Sequence, residues 1–354
     1  MHAFHEYSYG ICRRYYFEAQ KWLTLVLYNF ANRFHSLLCS SAVRRQCLLG
    51  PMLQAHLVAG PPAQAVLAWG RKPSATNAEH IARQLGLPLL RAEDGFLRSF
   101  GTGEDFPALS VVVDTQGIYY DSTGPSDLET MLASNEDLLD QAPEADNAIA
   151  LLLEHQLSKY NHAPHMALPH VNDQVLVLVV DQTLGDMSVL YGAATERTFD
   201  HMLQAAIDEN PGAQVIIKTH PEVRSGRKRG YLSHMQTMQL PQGGQLIPMR
   251  EAVNPIGLLQ QVSKVYVTTS GMGFEALLCG KPVRCFGIPW YAGWSATQDA
   301  QHCPRRTRTR SVRELFAAAY MCYTRYLNPT THQRGSIFDV MDWLVRQRCM
   351  AGLI

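Results

Sequence analysis

The stretch KVYVTTSGMGFEALLCGKPV, residues 264–283, decides how the chain folds. KVYV is a short apolar run of strand type, and FEALL has helical spacing that ends at Gly280-Lys281-Pro282. Between them lie Thr268, Thr269, Ser270, Gly271 and Gly273. A strand that passes through small residues into a helix presents backbone N–H groups at the helix N-terminus, where they and the helix dipole favour an anion. Glu275, next to Phe274, lies one turn into the helix, where a carboxylate can take both hydroxyls of a ribose. The stretch therefore reads as a nucleotide site. Tight strand–helix packing, with Glu275 as a helix-terminal charge, is the plainer alternative.

The same rhythm repeats upstream. QVLVLVVDQ at 174–182 is a continuous apolar run suited to a parallel strand buried on both faces. TERTFDHMLQAAIDENPG at 195–212 is helical with a Gly stop, AQVIIKTHPE at 213–222 is a strand with its exit loop, and PIGLLQQ at 255–261 is helical again. Alternating strands and helices imply a parallel sheet wrapped by helices, with ligands bound beyond the carboxyl ends of the strands. Those ends are polar: DQTLGDMS at 181–188, THPE at 219–222, TTSGMGFE at 268–275 and, in the first half, EDGFLRS at 93–99.

The first half follows a similar plan. AVLAWG at 65–70 and LPLLRAEDG at 87–95 read as strands around the helical AEHIARQLG at 78–86. SVVVD at 110–114 and GIYYD at 117–121 read as a hairpin through Thr115-Gln116-Gly117. Helices are expected from Pro125 to about Asn161, and HAPHMALPHVND at 162–173 is a linker. The expected fold is α/β and GT-B-like, with two Rossmann-like domains and a cleft between them. The expected parts are an N-terminal helical segment at 1–60, an acceptor-side domain at 61–165, a nucleotide-sugar domain at 172–310 and C-terminal helices at 311–354.

Composition narrows the function. The 354 residues carry 31 basic and 31 acidic side chains, so a nucleic-acid partner has no bulk electrostatic support. The eight cysteines form no C-x-x-C pair, which fits reduced thiols in a cytoplasm. WLTLVLYNF at 22–30 is too short to span a bilayer, and no signal-peptide cleavage pattern follows it. Residues 1–50 are basic and aromatic, which suits helices packed on the body or a peripheral contact with the inner membrane. No His/Cys cluster has ligand spacing, and no metal or cofactor is expected. A Walker loop is absent, and Gly271-Met272-Gly273 lacks the third glycine of a dinucleotide fingerprint.

Lys218-Thr219-His220-Pro221-Glu222 on one strand exit and TSGMGFEALLCGKPV on a later one resemble the nucleotide domain of GT-B glycosyltransferases and of sugar-nucleotide 2-epimerases. A closer resemblance is to the capsule polysaccharide family of bacterial β-Kdo transferases, which move 3-deoxy-D-manno-oct-2-ulosonic acid (Kdo) from CMP-Kdo. The motifs are WGRKPSA at 69–75, LRAEDGFLRS at 90–99, SVVVDTQGIYYD at 110–121, LSKYN at 157–161, VVDQTLGDMSVLYG at 179–192, KTHPE at 218–222, the 268–294 stretch and ELFAAAYMCYTRYLNP at 314–329. DQTLGDMS resembles the module that makes the lipid-proximal linkage, whereas CPRR at 303–306 resembles its sister.

The resemblance implies a metal-independent double displacement with retention. Asp186 is the expected nucleophile and Glu93 the expected acid/base, with Asp94 as its rival; turn formation is the plainer role for each. Lys218 and His220 are expected at the donor phosphate. Arg98, Lys72 and Lys159 are candidates for the Kdo carboxylate or the phosphate. Ser158, Tyr160 and Asn161 share the Lys159 rim, and Gln182 and Ser188 flank Asp186. Trp290, Tyr291 and Trp294 either wall the cytosine or pack between domains. The basic runs at 225–230 and 305–310 read as solvated loops or as steering charges. A 2-epimerase-type enzyme and a non-catalytic subunit of polysaccharide assembly remain the alternatives. The expected partners are CMP-Kdo and a glycan or glycolipid acceptor.

Overall fold

The computed structural model describes residues 34–46, 48–60, 62–103, 105–168, 174–220, 223, 226 and 228–354. Two seven-stranded mixed sheets build it. The first runs β14 (Gln333–Gly335), β13 (Thr324–Asn328), β5 (Ser110–Asp114), β4 (Leu89–Asp94), β3 (Ala65–Trp69), β1 (Ser36–Cys39) and β2 (His56–Val58). The second runs β12 (Gln298–Asp299), β11 (Val283–Cys285), β10 (Lys264–Val267), β6 (Leu176–Val180), β7 (Gln214–Lys218), β9 (Gln245–Met249) and β8 (Met238–Gln239).

The second sheet shows why its apolar runs are continuous. Side chains alternate across a strand, so a strand covered on both faces needs an apolar residue at every position. Leu176, Leu178, Val180, Val265 and Val267 join one core with Phe274, Ala276 and Leu277 of a helix at Met272–Leu278. Val177, Val179 and Tyr266 join a second core with Phe199, Met202 and Leu203 of a helix at Glu196–Asp208. Each such side chain contributes roughly 1.5–3 kcal/mol through burial.

Three expectations about organisation are corrected. Residues 34–58 do not form a purely helical segment: β1 and β2 extend the first sheet, parallel to each other, and β1 pairs β3. The part of the expected segment at 1–33 lies outside the described residues. SVVVD and GIYYD make no hairpin. Instead β5 lies between β4 and β13, antiparallel to both, and Asp114 folds the following turn by accepting from the amides of Gln116 and Gly117 at 2.9 and 2.7 Å. The C-terminal region is not all helix. After a π-helical turn at Ala317–Tyr323, β13 and β14 return to the first sheet, and only then does a helix form at Ile337–Met350. The described part of the 162–173 linker has no regular structure, as its Pro and His content suggested.

The run at 305–310 is exposed at Thr307 and Thr309, as a solvated loop would be, but three of its arginines are tied down. Arg305 and Arg306 both pair with buried Glu129 of the first domain, at 2.5 and 2.8 Å. Arg310 donates to the carbonyls of Leu132 and Ser134 at 2.8 and 2.7 Å. These arginines fasten the returning chain to the first domain.

Candidate active site

Glu93 sits near the end of β4, and its neighbours fix its orientation. Its Oε1 accepts from the Trp69 indole N–H and from the Asp94 amide, both at 3.1 Å. Burial, together with the charge of Asp94, pushes its carboxyl above the ordinary range; Lys159 and Lys72 oppose that shift. Gly70 beside it has φ +53°, and a Cβ there would stand 2.6 Å from Glu93 Oε2 and 2.7 Å from the Tyr120 hydroxyl. Only glycine combines that backbone with that space.

Asp94 is engaged elsewhere, in an ion pair with Arg98 at 2.9 Å. Arg98 also donates to Ser99 Oγ and to the Phe106 carbonyl, both at 2.8 Å. A guanidinium held on three sides is part of the scaffold in this structure, and Glu93, unlike Asp94, has no ion pair among the described residues.

Asp186 stands at the exit of β6, as the N-cap of a helix at Met187–Tyr191. Its Oδ1 accepts from the Ser188 amide and from Ser188 Oγ, both at 2.9 Å. Gln182 ties this exit to that of β10: its Oε1 accepts from the Thr269 amide at 3.0 Å, and its Nε2 donates to Thr269 Oγ1 at 3.1 Å and to Ser188 Oγ at 3.2 Å. Asp186, Gln182, Ser188 and Thr269 thus form one cluster, a grouping that the sequence anticipated only in part.

The two domains meet electrostatically at Tyr119. Burial raises its phenol; Lys159 acts against that, and Glu93, Asp94 and Asp186 act with it. Carboxylates of both domains thus add to the field that keeps this buried phenol protonated. GIYYD has the composition of a strand, which by itself gives Tyr119 no role. Lys159 itself is held charged: burial alone would lower it, but Tyr119, Tyr160, Asp94 and Glu93 together raise it.

Glu275 does not lie open to a ribose. It is 5% exposed, accepts from Ser158 Oγ at 2.6 Å and also receives the Lys159 amide. Burial raises its carboxyl to about 7, against those two hydrogen bonds. Asn161, fully buried, shapes the loop that reaches it: Oδ1 accepts from the Ser158 amide at 2.9 Å and Nδ2 donates to the Ser99 and Ser158 carbonyls at 2.9 and 2.8 Å. Tyr160 bridges to Ser99 and lies under the Arg98 guanidinium. The 158–161 rim is thus an interdomain joint.

The glycines of the opening motif have different duties. Nothing lies within 4 Å of where a Gly271 Cβ would stand, and that residue is exposed. A Cβ on Gly273 would lie 2.1 Å from the Tyr291 hydroxyl, which donates to the Ser270 carbonyl at 2.6 Å. Gly271 fits the expected approach of a phosphate, whereas Gly273 serves packing. Lys218 is buried and donates to the Thr219 and Glu251 carbonyls, both at 3.1 Å. His220 follows on the same exit, partly exposed, while Pro221 and Glu222 lie outside the described residues.

Trp290 and Phe274 belong to an aromatic seam. Trp290 is 5% exposed, with ring centroids 4.6 Å from Phe274 and 5.2 Å from Phe96 of the first domain; Phe96 lies 5.0 Å from Tyr119. Of the two roles open to Trp290, packing between domains is the one this structure displays. Among the described residues no group of three or more His, Cys, Asp or Glu side chains is placed to hold a metal ion, and no helix is long and apolar enough to cross a membrane.

Residues 64–175 and 170–328 match the family described as capsule polysaccharide biosynthesis protein. The capsule polysaccharide modification protein LipA of Neisseria meningitidis serogroup B is 46% identical over 297 residues, which is 80% of this chain and 42% of that protein. The chain thus spans less than half the length of that relative. The β-Kdo 2,4 transferase KpsC of Thermosulfurimonas dismutans superposes with a TM-score of 0.81 at 43% identity, over 88% of this chain and 98% of that one. The β-Kdo 2,7 transferase of the same organism's KpsC gives 0.66 at 26% identity, over 88% and 99%. The GT-B-like, two-domain α/β fold expected from the sequence is thus present.

Proposed function

Because the chain belongs to the capsule polysaccharide biosynthesis family, we propose that it is a retaining β-Kdo glycosyltransferase using CMP-Kdo as donor. The observation that carries this reading is the likeness to the β-Kdo 2,4 transferase, a TM-score of 0.81 at 43% identity over 88% of this chain. A double displacement needs one carboxylate as nucleophile and a second group for the acceptor proton.

We assign those roles by which carboxylate oxygen is left free of partners. Asp186 has Oδ1 committed to Ser188, leaving Oδ2 with one long contact to Gln182 at 3.4 Å. Asp186 Oδ2 attacks the anomeric carbon of Kdo, and CMP departs with the bonding pair. The acceptor hydroxyl then attacks the same carbon and releases Asp186, while Glu93 Oε2 takes its proton. Two inversions give net retention. The burial that raises Glu93 makes it a stronger base for that proton. We assign the CMP phosphate to the open side of Gly271, with Lys218 and His220 on the neighbouring exit. The reading calls on no metal or cofactor.

The higher identity to the 2,4 transferase favours a β-2,4 linkage over a β-2,7 linkage. The acceptor is a Kdo-bearing glycan or glycolipid in capsule or lipopolysaccharide synthesis, and the place of action is the cytoplasmic side of the inner membrane. The test is product analysis with CMP-Kdo generated in situ and a short Kdo-bearing acceptor, by mass spectrometry and then NMR. One added Kdo in β configuration is the expected result. A protein that ignores CMP and binds a UDP-sugar would be an epimerase-type enzyme instead.

A further inference from the structure

We propose that Trp69 is a positioning residue: its indole N–H pins one carboxylate oxygen of Glu93 and confines proton exchange to the other. Proton exchange with an acceptor rests on the transferase reading; the pinning of the carboxylate does not.

The strand register makes the contact. Trp69 ends β3 and pairs with Ala92 of β4, so the side chain of Glu93 begins one residue beyond the indole's own partner. The indole then reaches Glu93 Oε1 at 3.1 Å. Both hydrogen bonds to this carboxylate among the described residues end on Oε1. Oε2 lies over Gly70, whose missing Cβ leaves it room, with the Tyr120 hydroxyl alongside. That hydroxyl is itself fixed, accepting from the Arg71 amide at 2.8 Å. The charged groups facing Glu93 are Asp94, Lys159 and Lys72, and Asp94 is paired with Arg98. Tyr119 and Tyr120 supply the nearby phenols.

An indole N–H is a donor with no acceptor function, so it cannot exchange roles with the carboxyl as a hydroxyl can. It favours the ionised form on Oε1 and leaves Oε2 as the basic atom. Losing that donor should make Glu93 harder to ionise. A hydrogen bond to a charged group exceeds one to a neutral group by enough to shift the titration upward by about one pH unit.

The test compares the wild type with Trp69→Phe and with a variant carrying benzothienylalanine at position 69, where sulfur replaces the N–H and the shape is kept. Carbon-13 NMR follows the Glu93 carboxyl with pH in protein labelled at glutamate carboxyls, with Glu93→Gln giving the assignment. Both variants are expected to titrate about one unit higher than wild type. In turnover, the acid limb of kcat should move with the titration, lowering the rate about tenfold below the midpoint, while KM for CMP-Kdo stays within about twofold. A merely structural role would leave the titration where it is. An unmoved Glu93 titration in the benzothienyl variant, with its fold intact, overturns the proposal. Absence of Kdo transfer by the wild type would instead sink the transferase reading, and the titration would still decide the role of Trp69.

Discussion

Ser158 of the first domain donates its hydroxyl proton to Glu275 of the second, at 2.6 Å. The acid that a nucleotide motif would offer to a ribose is thereby spent on joining the domains. Its carboxyl, at about 7, changes charge near neutrality inside that joint.

Stability should therefore depend on Glu275 and pH. The folded value lies above the ordinary 4.5, so the neutral form is favoured by folding. Its contribution is fully present below about pH 4.5 and is lost as pH rises through about 7. Glu275→Gln keeps an acceptor for Ser158 and removes the titration. Relative to this variant, wild type should lose roughly 2–3 kcal/mol of stability between pH 4.5 and 8, read by denaturant unfolding. Parallel pH profiles for the two proteins would show that Glu275 ionises as freely folded as unfolded.

Asp186→Asn separates chemistry from folding. Asparagine caps a helix as well as aspartate does, so the helix at Met187–Tyr191 should persist. Turnover should fall by about a thousandfold or more while CMP affinity, by calorimetry, remains near wild type. Near-normal turnover would remove Asp186 as nucleophile.

Glu93→Gln should stall the second half-reaction. The variant retains an acceptor for the Trp69 indole, and loss of the base costs roughly a hundred- to ten-thousandfold in turnover. Intact-protein mass spectrometry after mixing with CMP-Kdo should then find one Kdo residue on the protein, mapped to the peptide holding Asp186. Rapid turnover with no adduct would return the proton-transfer role to Asp94 or to another group.

The two motif glycines should respond in opposite ways. Gly273→Ala drives a methyl against the Tyr291 hydroxyl and should cost about 1–3 kcal/mol. Gly271→Ala meets open space at φ −59°, so stability should stay within about 0.5 kcal/mol while KM for CMP-Kdo rises. Equal melting temperatures for the two variants would contradict the packing role of Gly273.

What could be read from the sequence follows from how local each signal is. β6, β7 and β10 were legible because strands covered on both faces carry unbroken apolar runs. The polar exit carrying Asp186 was legible for the same reason, whereas Glu93 stands inside β4, paired with Val112. β13 was not: Arg325 is buried within it and breaks the apolar pattern, and a helix-like Ala-rich run leads into it. The partners of Glu275 and of the 305–310 arginines lie far along the chain, where residue type does not reveal them. Gly271 and Gly273 look alike until Tyr291 is placed. Tyr119 was read as a strand residue because GIYYD has strand composition, whereas Asp114 turns the backbone before it can pair.

The return of β13 and β14 to the first sheet has a consequence for synthesis on the ribosome. β5 is made early, yet its antiparallel neighbour β13 is translated about two hundred residues later. At a vectorial rate of about 5–20 residues per second, that edge waits roughly ten to forty seconds, while the whole second sheet can assemble first. An unpaired apolar edge is a template for foreign strands. Truncations before residue 324 should therefore yield nascent chains that aggregate or need a chaperone, because β13 closes the edge that β5 otherwise leaves open.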